Sequence, residues 1–236
     1  MKLWIIAITI LVSTFRAEAQ KKKRTDQLIT LSTSLGTTHI VLYDETPLHK
    51  ANFLKLVKSK FYDSLLFHIV IENFMIQGGD PNSKNPKSGA SLGPSSIKSE
   101  NIPFEFTPLR VHKKGALAAL AATRNNNPEK KSSPSQFYIV QGKKLDDGEI
   151  AKVEKSNGIT YSNKQKADYV AIGGTPALDN KYTVFGEMLD NFDLIDKIAT
   201  TQKDEYNRPV IDIKMFMKAK KMRRKKISKK YKYSYL

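Results

Sequence analysis

From residue 28 to residue 43 the chain alternates between apolar and polar. LITLSTS (28–34) and THIVLY (38–43) place an apolar residue at nearly every second position, with Gly36 between them. A period of two predicts a β-hairpin. The period changes at Thr46-Pro47, after which Leu48, Ala51, Leu54 and Val57 recur every third residue. A helix is expected there, ending near Ser59, with Thr46 as its cap and Pro47 in its first turn. Further strands are predicted at 65–71, 74–77, within 117–121, at 136–140 and at 183–188. Residues 191–200 (NFDLIDKIAT) read as a second helix, with Phe192, Ile195 and Ala199 on one face and Asp193 near its positive end. Residues 210–217 alternate again and should close the sheet.

Many short strands with two isolated helices predict a mainly β fold. The expected architecture is an antiparallel barrel and not a βαβ unit. Two long polar stretches interrupt the pattern. Residues 81–108 are rich in Ser, Asn, Pro and Gly and read as irregular surface chain. Residues 145–176 read as an insertion, with helical pieces expected at 148–155 and 162–170.

Composition changes this picture at the two ends. The opening MKLWIIAITILVSTFRAEAQ has a positive start, an apolar run and an Ala17-Glu18-Ala19 ending. That is the pattern of a secretory signal peptide over residues 1–19. The protein is accordingly expected to be exported, with a periplasmic location, or to stay membrane-associated if the segment is retained. A charged lead-in (20–27), a main domain (28–217) and a basic tail (218–236) follow. The formal charge is +17, and residues 214–236 hold eleven Lys or Arg and no acid. The rest of the chain carries an ordinary balance. The tail, Lys218 to Lys232 above all, is suited to an anionic lipid or another polyanion, with no specific nucleic acid expected. A solvated tail is the alternative. There is no cysteine, and the four histidines (His39, His49, His68, His112) are scattered without an i,i+4 pair. Disulfides and cysteine-based metal sites are excluded, and neither a metal nor another cofactor is expected. No feature points to self-association, so a monomer is expected.

The chemistry-bearing stretches are FYDSLLFHIVIENFMIQGGDP, KKGALAALAA, SSPSQFYIVQG and ALDNKYTVFGEML, in that order. Together they resemble the cyclophilin-type peptidyl-prolyl isomerases, particularly exported bacterial members. The resemblance covers about residues 28–217. It implies an eight-stranded antiparallel barrel capped by two helices, and rotation about X-Pro amides in proline-containing polypeptides. It also implies a site. Phe74, Met75, Tyr138 and Leu178 would line a proline slot. Gln77 would bond the substrate backbone, with Gln136 beside it and His68 near the pocket. Leu120, Ala121 and Ala122 would border the groove for the preceding residue, and Tyr182 would stand at the rim.

One position departs. The family's catalytic arginine follows the histidine, and here that position is Ile69. Isoleucine offers no donor and no charge. Arg124, Lys130 and Lys131 lie on the loop before SQFYI, but nothing in the sequence aims them at the slot. Strand alternation sends Phe74 and Met75 to opposite faces unless the chain bends between them. Two functional readings follow: a prolyl isomerase assisting the folding of exported proteins with weakened catalysis, or a binding module that grips prolyl chains without turning them over.

Overall fold

The computed structural model describes residues 24–87, 92–93, 97–122 and 127–236. The signal-peptide segment and Arg124 lie outside the described residues. Eight strands form one antiparallel sheet: β1 (Thr25–Thr33), β2 (Gly36–Leu42), β3 (Phe67–Ile71), β4 (Met75–Gly78), β5 (Ala116–Ala121), β6 (Ser132–Val140), β7 (Val184–Met188) and β8 (Phe216–Arg223). Their spatial order is β3-β4-β6-β5-β7-β2-β1-β8. The chain just before β8 curls the sheet towards closure. Phe67 N–H donates to Ile213 C=O at 3.0 Å, and Met215 N–H donates to Leu65 C=O at 2.8 Å.

Alternation divides the side chains into two groups. Ile29, Leu31, Ile40, Phe67, Val70, Ile76, Leu117, Phe137 and Ile139 point into the curl and make the main core. Their neighbours Met75, Ala116, Ala118, Tyr138 and Val140 point the other way and form a second apolar cluster. A sheet with both faces covered by apolar side chains has a core on one side and material for a site on the other.

Helix α1 (Pro47–Lys58) and helix α4 (Asp193–Ala199) pack on the core, with α2 (Asp147–Asn157), α3 (Asn163–Ala171) and α5 (Arg224–Tyr231) elsewhere. The buried face of α1 is His49, Phe53, Leu56 and Val57, while Leu48 is half exposed. This corrects the stripe read from the sequence, which ran through Leu48 and Ala51. Thr46 does not cap α1 with its side chain. The carboxylate of Glu105 does so instead, accepting from Leu48 N–H at 3.0 Å and His49 N–H at 2.9 Å. A cap from 57 residues away is invisible to local sequence rules.

Both helices of the insertion start on capping boxes, Asp146 with Glu149 and Ser162 with Gln165. Each box satisfies two orphan N–H groups, which explains why polar stretches with little apolar surface are helical. The last strand runs further than the alternation at 210–217 suggested. It continues to Arg223, pairing with β1 as far as Thr25, and α5 follows it. The segment read as a basic tail from residue 218 is largely built into β8 and α5.

Candidate functional site

Strand β3 carries the first site residues, and its register slips between Phe67 and Ile69. A bulge takes one residue out of alternation. Phe67 and Val70 both reach the core, while Ile69 packs on the second cluster. His68, at the bulge, lies buried beside Gln77, with 3.4 Å between His68 Nε2 and Gln77 Nε2. Burial pushes the His68 imidazole down to about 4, and the nearby charge of Arg208 pushes in the same direction against Asp80. The ring is neutral at physiological pH. Arg208 was not singled out from the sequence. It comes close because Val70 N–H donates to Asn207 C=O at 2.8 Å, tying that late loop to β3.

The conflict over Phe74 and Met75 is resolved by a turn. Phe74 N–H donates back to Ile71 C=O at 3.1 Å, and Asn73 adopts φ 60°. Phe74 thus precedes β4 and escapes its alternation, so both side chains join the second cluster. Met75 and Tyr138 are buried at its floor, while Ile69, Phe74, Leu120, Leu178 and Tyr182 are partly buried around them. The rings of Tyr138 and Tyr182 meet edge-on with centroids 6.1 Å apart. Leu178 is delivered by a short 3-10 turn, Pro176–Leu178, at the end of the insertion. Seven of the sequence-selected positions therefore form one continuous apolar patch with a buried floor and an accessible rim. Ala121 stands apart from it, opposite Ser132 on β6 and past a bulge in β5.

Polar groups line one side. Gln77 Nε2 donates to Gln136 Oε1 at 3.0 Å, and Gln136 Nε2 donates to Gly93 C=O at 2.9 Å. Gly93 N–H in turn donates to Asp80 Oδ2 at 2.5 Å. Asp80, in the turn after the paired glycines, is fully buried and holds this backbone against the patch. Gly93 has φ 106°, and a methyl added there would stand 3.4 Å from Ile69 Cδ1 and 3.6 Å from His68 Nε2. The Gly93 backbone thus borders Ile69 and His68. At Gly79, a Cβ would fall 2.2 Å from Ser135 C=O, so the bend there admits only glycine. Lys130 Nζ donates to Asn180 C=O at 2.7 Å and Lys131 pairs with Glu129, so both have structural partners.

Two residues below the patch were not foreseen as site residues. His112 Nε2 lies 2.9 Å from Tyr138 Oη, and His112 Nδ1 lies 2.6 Å from Asp179 Oδ1. Asp179 follows Leu178 directly, but nothing local in the sequence brings His112 to it. A separate cavity between α1 and β6, lined by His49, Phe53, Tyr62 and Gln136, measures only ≈ 10 Å³. That is room for about one water molecule, so the apolar patch, not this cavity, is the candidate site. Among the described residues no group of three or more His, Asp or Glu could hold a metal ion, and no helix is long and apolar enough to cross a membrane.

The arrangement has counterparts. The sequence profile of the cyclophilin type peptidyl-prolyl cis-trans isomerase/CLD family matches residues 28–219. A Streptococcus pyogenes protein named as a candidate bifunctional phosphatase/peptidyl-prolyl cis-trans isomerase is 36% identical over 195 residues. The match covers 81% of this chain but only 38% of that protein. A Staphylococcus saprophyticus protein named as a candidate peptidyl-prolyl cis-trans isomerase is 33% identical over 176 residues, 75% of this chain and 82% of that one. Among solved structures, a Cryptosporidium parvum cyclophilin type peptidyl-prolyl cis-trans isomerase superposes with a TM-score of 0.56 at 22% identity, over 82% of this chain and 98% of that one. The same parasite protein has been solved in the presence of the dipeptide Ala-Pro. Profile and relatives agree: the chain belongs to the cyclophilin type peptidyl-prolyl cis-trans isomerase family.

Proposed function

We propose that this chain is a peptidyl-prolyl cis-trans isomerase that works with reduced catalytic power. The observation that carries this is the apolar patch itself. Phe74, Met75, Tyr138, Leu178 and Tyr182 come from three separate parts of the chain to one place, beside the Gln77–Gln136 pair. A pyrrolidine ring is apolar and compact, and its burial on such a patch needs no charge. Rotation about the X-Pro bond must cross a barrier of ~18–20 kcal/mol, because the C–N bond is partly double. No bond is broken, so the protein needs only to hold the ring and favour the twisted amide. In the twisted state the nitrogen recovers its lone pair, and a donor aimed at it accelerates the reaction. Ile69 supplies no such donor. Loss of one transition-state donor lowers rates by about 10²–10³.

Exchange-NMR or protease-coupled isomerisation assays on a prolyl tetrapeptide test the reading. Turnover above the uncatalysed rate but well below an ordinary family member is expected, and Ile69→Arg should raise it by at least about tenfold. Wild-type protein that binds the peptide without turnover leaves the second reading, a prolyl-binding module, in its place. That alternative draws on Ile69, an apolar residue at the position of the family's arginine. Substrates are proposed to be exported polypeptides, on the strength of the apolar segment at residues 3–15. The exposed lysines of β8 and α5 are proposed to hold the domain at an anionic surface.

A further inference from the structure

The insertion reaches the slot through a buried chain of hydrogen bonds. Tyr161, just before α3, and Tyr169, within it, both donate to Asp179 Oδ2, at 2.6 and 2.5 Å. Asp179 Oδ1 faces His112 twice, accepting from the backbone N–H at 2.9 Å and meeting Nδ1 at 2.6 Å. Asp179 and His112 are fully buried, and Tyr161, Tyr169 and Tyr138 nearly so. Four groups converge on two carboxylate oxygens, so Nδ1 is assigned as the ring's donor. His112 then presents Nε2 to the Tyr138 hydroxyl at 2.9 Å. Burial, followed by Tyr182 and Asp179, keeps the Tyr138 phenol well above its ordinary range, so it retains the proton it donates. The imidazole also stacks on the Tyr138 ring, 5.9 Å between centroids and 11° between planes. A second tie runs from the end of α2. Asn157 Nδ2 donates to the carbonyls of Pro176, Ala177 and Asp179 at 3.0, 3.3 and 3.2 Å, gripping the turn that carries Leu178.

We infer that the two-helix insertion is a buttress for the proline slot, and that His112 is a positioning residue that fixes the Tyr138 ring by its hydroxyl and links it to Tyr161 and Tyr169. The inference rests on reading the apolar patch as the slot. A ring held at its far end cannot tilt when a substrate ring enters, so less freedom is lost on binding. A residue that only supported the fold would lower the active fraction and leave affinity unchanged. A positioning residue weakens affinity in the fully folded molecule.

Prolyl-peptide affinity by NMR titration, read with exchange-NMR turnover per folded molecule, separates these. Tyr138→Phe keeps the ring and removes the hydroxyl; His112→Gln removes the imidazole; Tyr161→Phe with Tyr169→Phe cuts the chain inside the insertion. Each is expected to raise Kd by about threefold to tenfold, the range of one neutral hydrogen bond. The combination of Tyr138→Phe with His112→Gln should be no worse than the weaker-binding single variant. Unchanged Kd in the variants, or effects of Tyr138→Phe and His112→Gln that multiply, would overturn the inference. If His112→Gln does not fold, Tyr138→Phe and the double tyrosine variant decide on the same criterion. A wild-type chain that fails to bind the peptide would overturn the slot itself, and the buttress with it.

Discussion

Ile69 and His68 sit side by side at one bulge and have opposite consequences. Ile69 removes a charge from the site, whereas His68 brings in a titratable group that burial keeps uncharged. With the ordinary value at 6.5 and the folded value at about 4, the unfolded chain takes up this proton first as the pH falls. The stability His68 contributes is therefore complete above about pH 6.5 and is lost progressively towards pH 4. The span corresponds to ~3 kcal/mol at most. Thermal melts should be flat above pH 7 and fall steeply below 6.5, and His68→Gln should remove most of that slope. His49, also lowered by burial, adds in the same direction and accounts for a remainder. A slope equally steep in His68→Gln would reject the assignment. Phe74 offers a cleaner test of binding. It is only partly buried, at the rim, so Phe74→Ala should leave the melting temperature within a few degrees while weakening prolyl-peptide affinity about tenfold. Retained affinity would place the ligand elsewhere.

Among the elements, α1 shows how the site's scaffold is secured from a distance. Glu105 accepts from two orphan N–H groups of its first turn and also meets His49 Nδ1 at 2.6 Å, while His49 Nε2 reaches Ser132 at 2.9 Å on β6. Helix and sheet are thus joined through His49, whose ring the carboxylate holds. Removing the carboxylate should cost ~2 kcal/mol, from the lost cap and a buried imidazole without its partner. Melting of Glu105→Ala should drop by about 5 °C in consequence; a shift under about 1 °C would show that Glu105 is not the cap that matters. The strands could be placed from the sequence because each alternates against two apolar layers. The bulge at His68 and the turn at Asn73 could not, since both depend on how β3 meets its neighbours. For the same reason the pattern at Leu48 and Ala51 misled: three-residue spacing alone does not say which side of a helix the rest of the protein will cover.

For the whole molecule, the basic end is the main feature beyond the slot. Strand β8 anchors it to β1, Arg224 bridges Asp26 at 3.1 Å and also pairs with Asp44, and Ile227 is fully buried. Lys218, Lys220, Lys221 and Arg223 then stand exposed on a strand, with Lys225, Lys226, Lys229 and Lys230 exposed on a helix. Lysines on a terminal strand also discourage addition of another strand. The helix lysines have no such task, which makes them the discriminating set. Changing those four to glutamate should abolish salt-sensitive binding to anionic vesicles, each cation being worth about 1 kcal/mol near such a surface. Unaltered binding would dismiss the tether. Deleting the whole segment would be uninformative, because it would strip β1 of a partner.

The linear order of residues by itself determined the strand count, the main helices, the family motifs and the loss of charge at Ile69. These are local or periodic properties, legible wherever backbone geometry converts spacing into a face. Only the tertiary structure decided that Phe74 and Met75 share one cluster, that Glu105 caps α1, that the basic end is ordered, and that His112 and Asp179 connect a peripheral insertion to Tyr138. Each of these joins groups far apart along the chain. Their free energy comes from burial and hydrogen bonds that exist only once the sheet has curled, so no local pattern has to announce them.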